Sequence, residues 1–153
     1  MMGKPKVLFL CTGNRARSQM AEAFLRRYAG DQFDVYSAGL EPEPIHPYVY
    51  KVMREVGLDL DGHYSKDVAG FLGKVYFGYL ITVCARAEEK CPIFPGLGQR
   101  LFWPLDDPVE FQGTEEDKLG RFREVRDQIE QRILAWLASR KESTDSDGLS
   151  GEK

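Results

Sequence analysis

The first forty residues alternate between two hydrophobic patterns. The apolar run "KVLFL" at 6–10 is short, unbroken and rich in residues that favour strands, so it predicts a buried β-strand. Between Ser18 and Gly30 apolar residues recur at spacings of three and four, the pattern of an amphipathic helix, and Gly30 is placed to end it. The segment "FDVYSAG" at 33–39 then predicts a second strand.

Prolines interrupt the pattern in the next segment. The stretch "EPEPIHP" at 41–47 predicts a loop, because proline breaks both strand ladders and helices. Pro47 is suited to the first position of a helix, which Gly57 would end. A short helix is predicted from Ser65 to about Gly73, with Ser65 as its N-cap.

The second half of the chain continues the alternation. Apolar runs predict a third strand at 75–84 and a fourth at 99–105. The longest amphipathic pattern follows and predicts a helix with a long apolar stripe. Thr114 and Asp117 stand in the spacing of a capping box at its start, which fixes where this helix begins.

Strands that alternate with helices predict a three-layer α/β fold: a four-stranded parallel sheet with helices on both faces. We expect one catalytic domain over residues 1–139. Residues 140–153 are almost devoid of apolar side chains and predict a disordered tail. In open parallel sheets ligands bind beyond the carboxyl ends of the strands, so the residues that follow the strands are the candidates for chemistry.

Composition narrows the class of protein. The chain has 153 residues, 42% of them hydrophobic, and a formal net charge of -3. Its slightly acidic charge and interspersed arginines argue against a nucleic-acid-binding surface, and it has no apolar stretch long enough to span a membrane. No cleavable leader pattern follows the apolar run at 7–10, so we expect a cytoplasmic protein. Three cysteines in a reducing compartment favour thiol chemistry over a disulfide framework.

The strongest chemical signal is the loop "CTGNRARS" between the first strand and the first helix. Such a short loop can turn its backbone N–H groups inward as a nest for a tetrahedral oxyanion, with the helix dipole behind it. Arg17 adds a planar fork for two oxygens, and these donors together favour the thiolate form of Cys11. The predicted oxyanion-binding residues are Thr12, Gly13, Asn14, Arg15, Ala16, Arg17 and Ser18.

Cys11 and Arg17 alone are a weak pattern, because a buried structural cysteine and a surface arginine can occur at this spacing without any catalytic role. The flanking strand, the Gly13–Asn14 pair and the helix that opens at Ser18 make the catalytic interpretation strong. No Walker-type phosphate loop competes with it.

The stretch "LCTGNRARSQMAEAF" resembles the catalytic loop of the low-molecular-weight tyrosine phosphatase fold, which phosphatases and thioredoxin-coupled arsenate reductases share. The resemblance continues through "YSAG", "ITVC" and "FWPLDDP" and covers roughly residues 5–138. It implies that Asp107 is the general acid and that Asp106 is structural. Taken alone, "DDP" is more typical of a plain turn.

Two further cysteines favour the reductase branch. By resemblance, Cys11 would attack arsenate, Cys84 would attack the Cys11 adduct and release arsenite, and Cys91 would then form a disulfide with Cys84. An external thioredoxin, or a glutaredoxin-type reductant, would reduce that disulfide. The alternatives are a tyrosine phosphatase that works through a cysteinyl-phosphate, and a thiol-based redox sensor with no use for Asp107.

The spacing of the second and third cysteines has a geometric consequence. If residues 84–91 are helical, the Cα atoms of Cys84 and Cys91 lie about 10 Å apart, whereas a disulfide needs roughly 4.4 to 6.8 Å. The segment must therefore rearrange on oxidation.

We expect no tightly bound cofactor or metal. Zinc is disfavoured, because His46 and His63 stand alone beside loop signals. Some relatives bind potassium through residues that match Asn14, Glu22 and Ser37, together with an aspartate, but this chain has Lys66 at the aspartate position. The hypothesis is that the Lys66 ammonium replaces the cation.

Overall fold

Four parallel strands form one sheet in the order β2-β1-β3-β4, which confirms the predicted sheet. The computed structural model describes residues 3–151, and for 142–151 the backbone alone. The strands are β1 Lys6–Cys11, β2 Asp34–Gly39, β3 Tyr79–Thr82 and β4 Gln99–Phe102. In register, Cys11 pairs with Gly39 and Thr82 pairs with Phe102, so the carboxyl ends of the strands meet at one edge.

Helices connect the strands, and those that follow the first strand, Pro47 and Thr114 lie where the sequence pattern predicts them, whereas the helix after Cys84 is considered there only as a condition. They are α1 Arg17–Ala29, α2 Pro47–Glu55, α3 Ala85–Lys90 and α4 Glu115–Gly151, with short 3-10 turns at Val68–Gly70 and Pro108–Glu110. The chain leaves β1 toward β2 on one side and reaches β3 on the other, so the point where the strand order reverses lies directly after Cys11. Parallel sheets bind ligands at such a point.

The core explains the unbroken apolar run of β1. Val7, Leu8, Phe9 and Leu10 are all 0% exposed, because β1 is central and packed on both faces. On α4 the predicted apolar stripe faces this core. Its buried members are Leu119, Phe122, Val125, Ile129 and Ile133.

The predicted short helix from Ser65 to about Gly73 is wrong. Only a 3-10 turn forms, at Val68–Gly70, and its N-cap is Asp67, whose side chain accepts from the N–H of Ala69 at 2.9 Å. The hydroxyl of Ser65 contacts backbone carbonyl oxygens of the loop after β1 and the segment after β2 instead. A tertiary contact therefore takes the side chain that the local pattern assigns to a cap.

The third and fourth strands are shorter than the apolar runs that predict them. The run at 75–84 contributes only Tyr79–Thr82 to the sheet. Before it, Phe77 packs edge-on against Tyr36, Phe71 and Phe94, at ring-centroid distances of 5.3 to 5.9 Å. An aromatic cluster, rather than a longer strand, buries the start of this run.

Both ends of α4 bear on a prediction. At its start the capping box is confirmed: the N–H of Asp117 donates to Thr114 Oγ1 at 3.1 Å and the N–H of Thr114 donates to Asp117 Oδ2 at 3.2 Å. At its end the backbone is helical to Gly151, while the side chains of 142–151 and residues 152–153 lie outside the described part. The disordered tail at 140–153 stays a prediction.

Among residues 3–151 no helix has the length and apolar character needed to span a membrane.

Candidate active site

The loop of residues 11–18, the Cys11 loop, is held from outside by the segment that follows β2. This segment, residues 40–46, is called the collar below. Its backbone N–H groups donate to the carbonyl oxygens of residues 11, 12, 13 and 15 at 2.8 to 3.2 Å. Because these carbonyls face the collar, the N–H groups between them face the opposite side, an arrangement suited to a nest for an anion.

The thiol of Cys11 lies at the floor of this nest. Its Sγ is 2.9 Å from Ser18 Oγ and accepts from the N–H of Asn14 at 3.2 Å, and the residue is 2% exposed. Asn14 has a φ of 50°, the left-handed conformation that turns its N–H toward the sulfur. Its amide group donates to Ser18 Oγ at 2.7 Å and to Ser37 Oγ at 3.0 Å, which holds that conformation. Two potential donors to a thiolate thus converge on Cys11.

Arg17 and Asp107 lie side by side at the mouth. The Arg17 guanidinium donates to the carbonyl of Leu105 at 2.9 Å and lies 3.5 Å from Asp107 Oδ2, with little exposure to solvent. The other oxygen of Asp107 accepts from the N–H of Val109 at 3.0 Å and caps the 3-10 turn that begins at Pro108. The loop after β4 therefore brings a carboxyl group to the same pocket as the thiol.

These groups line a pocket of about 280 Å³ at the carboxyl edge of the sheet. Its lining residues are Cys11, Thr12, Gly13, Arg15, Ala16, Arg17, Glu41, Glu43, Arg86, Asp107, Val109 and Glu110. Among the predicted oxyanion-binding residues, Asn14 and Ser18 lie buried beneath the loop, where they contact Cys11 rather than line the pocket. Asp106 is exposed outside it.

Sequence reasoning missed the charged rim of the pocket. Glu43 pairs with Arg15 at 2.5 Å, and Glu41 pairs with Arg86 at 2.8 Å. Both glutamates belong to the collar, so the one available signal was two acidic residues directly after a strand end. With their arginine partners they place alternating charges around the pocket mouth. None of the lining residues named above is aromatic.

The second cysteine contacts the residue that follows the first. Cys84 follows β3, is buried, and its Sγ is 3.4 Å from the hydroxyl of Thr12, the residue after Cys11. The same sulfur is the N-cap of α3 and accepts from the N–H of Ala87 at 3.4 Å. The structure therefore brings Cys84 to the rim of the Cys11 loop.

The third cysteine is separated from this pair by α3. Cys91 is half-buried directly after the helix, and its Sγ donates to the carbonyl of Pro92 at 3.3 Å. Burial raises the pKa of the Cys91 thiol, and the charge of Arg100 partly opposes this rise. All three cysteines are free thiols. Because the residues between Cys84 and Cys91 are helical, these two cysteines can form a disulfide only if the segment rearranges.

The residues considered for metal binding have other contacts. His46 caps α2, because its Nδ1 accepts from the N–H of Tyr48 at 3.1 Å. His63 Nδ1 lies 3.3 Å from Gln19 Oε1. Within residues 3–151, no group of three or more histidine, cysteine or acidic side chains has the arrangement of a metal site.

Residues 6–146 match the model of the low molecular weight phosphotyrosine protein phosphatase family. The chain belongs to this family. Among its relatives, an arsenate reductase of Halalkalibacterium halodurans is 40% identical over 141 residues, which are 92% of this chain and all of that protein. The predicted family and fold are confirmed by these matches.

Solved structures of other proteins agree with the fold. An arsenate reductase in a phosphate-binding state superposes with a TM-score of 0.75 at 31% identity, over 88% of this chain and 98% of that one. A thioredoxin-dependent arsenate reductase of Corynebacterium glutamicum gives a TM-score of 0.68 at 30% identity, over 92% of this chain and 63% of that one.

Proposed function

We propose that this protein reduces arsenate to arsenite. The observation that carries the proposal is the position of Cys84, whose sulfur is 3.4 Å from Thr12 at the rim of the Cys11 loop. Hydrolysis of a phosphate ester needs only the nucleophile and the acid, whereas reduction needs a second thiol within reach of the first. Relatives at about 40% identity carry the name arsenate reductase, which supports the same choice.

The first step is attack of Cys11 on arsenic. The loop N–H groups and the Arg17 fork hold the oxyanion against the sulfur and balance the charge of its oxygens. Asp107 donates a proton to the oxygen that leaves, so that water departs as the sulfur–arsenic bond forms. The product of this step is a covalent arsenic adduct on Cys11.

The second step transfers two electrons to arsenic. The Cys84 thiolate attacks the Cys11 sulfur, a Cys11–Cys84 disulfide forms, and the sulfur–arsenic bond breaks with its electron pair on arsenic, which leaves as arsenite. Cys91 then attacks Cys84, frees the Cys11 thiolate and leaves a Cys84–Cys91 disulfide. Since α3 separates Cys84 and Cys91, this last exchange requires the helix to open.

The reductant of the final disulfide is proposed to be thioredoxin, with a glutaredoxin-type protein as the alternative. A dithiol couple with a reduction potential of about -270 mV can reduce a disulfide that forms and opens in each cycle. The Corynebacterium relative, described as thioredoxin-dependent, supports this assignment. Thiol chemistry of this kind needs a reducing compartment, so we also propose a cytoplasmic location.

The deciding experiment is arsenate-dependent oxidation of NADPH in the presence of thioredoxin and thioredoxin reductase. The wild type is expected to turn over, and Cys84→Ser and Cys91→Ser are each expected to lose multiple turnover. Asp106→Asn, an exposed change outside the pocket, is the matched control and should retain activity. Full turnover of Cys91→Ser would contradict the relay.

Phosphate ester hydrolysis is the second candidate function, because the same Cys11 loop and Asp107 serve a cysteinyl-phosphate mechanism. The rim favours the reductase: an ester group would displace water from the Glu41 and Glu43 carboxylates, and no aromatic side chain of the pocket lining would pack against it. Strong hydrolysis of p-nitrophenyl phosphate without arsenate reduction would select the phosphatase.

We propose further that no potassium ion is needed beside the loop. Lys66 Nζ donates to the carbonyl of Tyr64 at 2.8 Å and lies 3.8 Å from the buried carboxylate of Glu22. The Asn14 side-chain oxygen already accepts from Gln19 and from the N–H of Lys66. These contacts do not fit a cation there. Turnover is expected to be equal in potassium and sodium salts of the same ionic strength, and a specific rise with potassium would overturn the proposal.

A further inference from the structure

The helix between the two outer cysteines cannot be stable through its own hydrogen bonds. α3 has six residues, and isolated helices shorter than about 12 residues are marginal in water. Its sequence "ARAEEK" buries only Ala87. Contacts to the rest of the protein must therefore hold it.

The C-terminal end of α3 lacks a backbone hydrogen-bond donor. A helical carbonyl accepts from the N–H four residues later, and for Glu88 that position is Pro92, which has no N–H. The carbonyl of Glu88 therefore cannot be satisfied by continuing the helix. Without another donor it would be an orphan at the end of the last turn.

Arg100, on β4, supplies that donor. Its Nη2 donates to the Glu88 carbonyl at 2.6 Å, and its Nη2 and Nε also donate to Glu88 Oε1 at 2.7 and 3.0 Å. The hydroxyl of Thr82, at the end of β3, donates to the same carboxylate oxygen at 3.1 Å. One guanidinium thus holds both the main chain and the side chain of the last helical turn to the sheet.

The N-terminal end of α3 is held by a reacting atom. Cys84 Sγ accepts from the N–H of Ala87 and thereby caps the helix. When this sulfur enters a disulfide with Cys11, it becomes a poorer acceptor and is drawn toward the loop. The contact of Arg100 then remains as the principal restraint on α3.

We infer that Arg100 is a positioning residue that holds the C-terminal end of α3 while the Cys84 cap holds the other end, so that α3 opens readily only after oxidation of Cys84 has removed that cap, and the thiols react in order. The inference rests on the proposed function, since Cys84 and Cys91 are taken as relay thiols. Arg100 is also the cation whose charge lowers the pKa of Cys91, while Glu88 raises it. The same residue therefore restrains the helix and favours the attacking thiolate.

Arg86, the one arginine within α3, serves as a comparison. Arg86 pairs with Glu41 of the collar at 2.8 Å, with both side chains mostly exposed, and it contacts no carbonyl of the last turn. The charges that shift the pKa of Cys91 are those of Arg100 and Glu88. Removal of Arg86 changes the charge of the region equally but leaves the C-terminal contacts of α3 intact.

The test uses the reduced full chain without arsenate, so it does not depend on whether the protein reduces arsenate. Hydrogen exchange of the amides at 87–91 is expected to be about 5- to 10-fold faster in Arg100→Gln than in the wild type. Amides of β1 serve as an internal reference and should be unchanged. Arg100→Lys should recover part of the protection, and Arg86→Gln should leave the amides at 89–91 as in the wild type.

A second measurement distinguishes a positioning role of Arg100 from a general loosening of α3. The pH profile of Cys91 alkylation by iodoacetamide, followed by peptide mass spectrometry, is expected to move to higher pH in Arg100→Gln and to lower pH in Glu88→Gln. Both variants weaken the same contact, so a merely structural role would move the two profiles in the same direction. That result, or wild-type exchange in Arg100→Gln, would overturn the inference. Failure of arsenate reduction with these shifts present would instead reject the proposed function alone.

Discussion

At the scale of single residues, the two carboxyl oxygens of Asp107 make different contacts. Oδ1 caps the 3-10 turn through Val109, while Oδ2 lies beside Arg17 at the pocket. Asparagine can keep the cap, since its side-chain oxygen also accepts, but it cannot donate the catalytic proton. One substitution can therefore separate the structural cap from the proposed proton transfer.

Asp107→Asn is expected to lower the rate of arsenate reduction by on the order of a hundredfold, the usual contribution of a placed general acid. The thermal midpoint should change little. The measurement is kcat in the coupled NADPH assay together with a calorimetric scan. Asp106→Asn is the control, and a rate for Asp107→Asn within threefold of the wild type would rule out the assigned role.

At the scale of elements, the end of β2 shapes the Cys11 loop. A Cβ on Gly39 would lie 2.7 to 2.9 Å from backbone atoms of residues 12–14. Backbone atoms cannot yield as a flexible side chain can, so only glycine allows the collar to approach the loop this closely.

Gly39→Ala is expected to displace the backbone of the Cys11 loop and to weaken phosphate binding by more than tenfold. It should also destabilise the fold by about 1–3 kcal/mol, the usual cost of overpacking. Isothermal calorimetry with phosphate and urea unfolding measure the two effects. Gly70→Ala is the matched control, because a Cβ there meets no atom within 4 Å. Equal phosphate affinity in both variants would contradict the account.

What the sequence predicts well at this scale is local. β1, the Cys11 loop and α1 follow from an apolar run, a glycine and a periodic helix, all within thirty consecutive residues. What it misses depends on distant partners. Ser65 binds carbonyls of the loop and collar instead of capping a helix, and Arg100 of β4 donates to the carbonyl of Glu88 at the C-terminal end of α3. No local pattern contains those contacts.

At the scale of the whole molecule, one ion-pair group joins α2 to α4, remote from the pocket. Glu55 lies 2.9 Å from Arg123 Nη2 and 2.8 Å from Arg126 Nη1, and Arg126 also donates to the carbonyl of Val52 at 2.9 Å. Hydrogen bonds from Arg123, with a smaller contribution from Arg126, hold the pKa of Glu55 below its usual range. The group therefore contributes to stability only while Glu55 is ionised.

The sign of the pH dependence follows from that lowered pKa. The stabilisation is fully present above the unfolded-state pKa of glutamate, about 4.3, and is lost as the pH falls through the lower pKa of the folded state. Glu55→Gln should be less stable than the wild type at pH 7, and the difference should shrink between about pH 4.5 and pH 3. Urea midpoints at pH 7, 5 and 3 measure it. Glu124→Gln, which removes an exposed pair with Arg121, is the control and should stay near the wild type throughout. A difference for Glu55→Gln that stays constant or grows on acidification would show that the ion pairs do not join the two helices energetically.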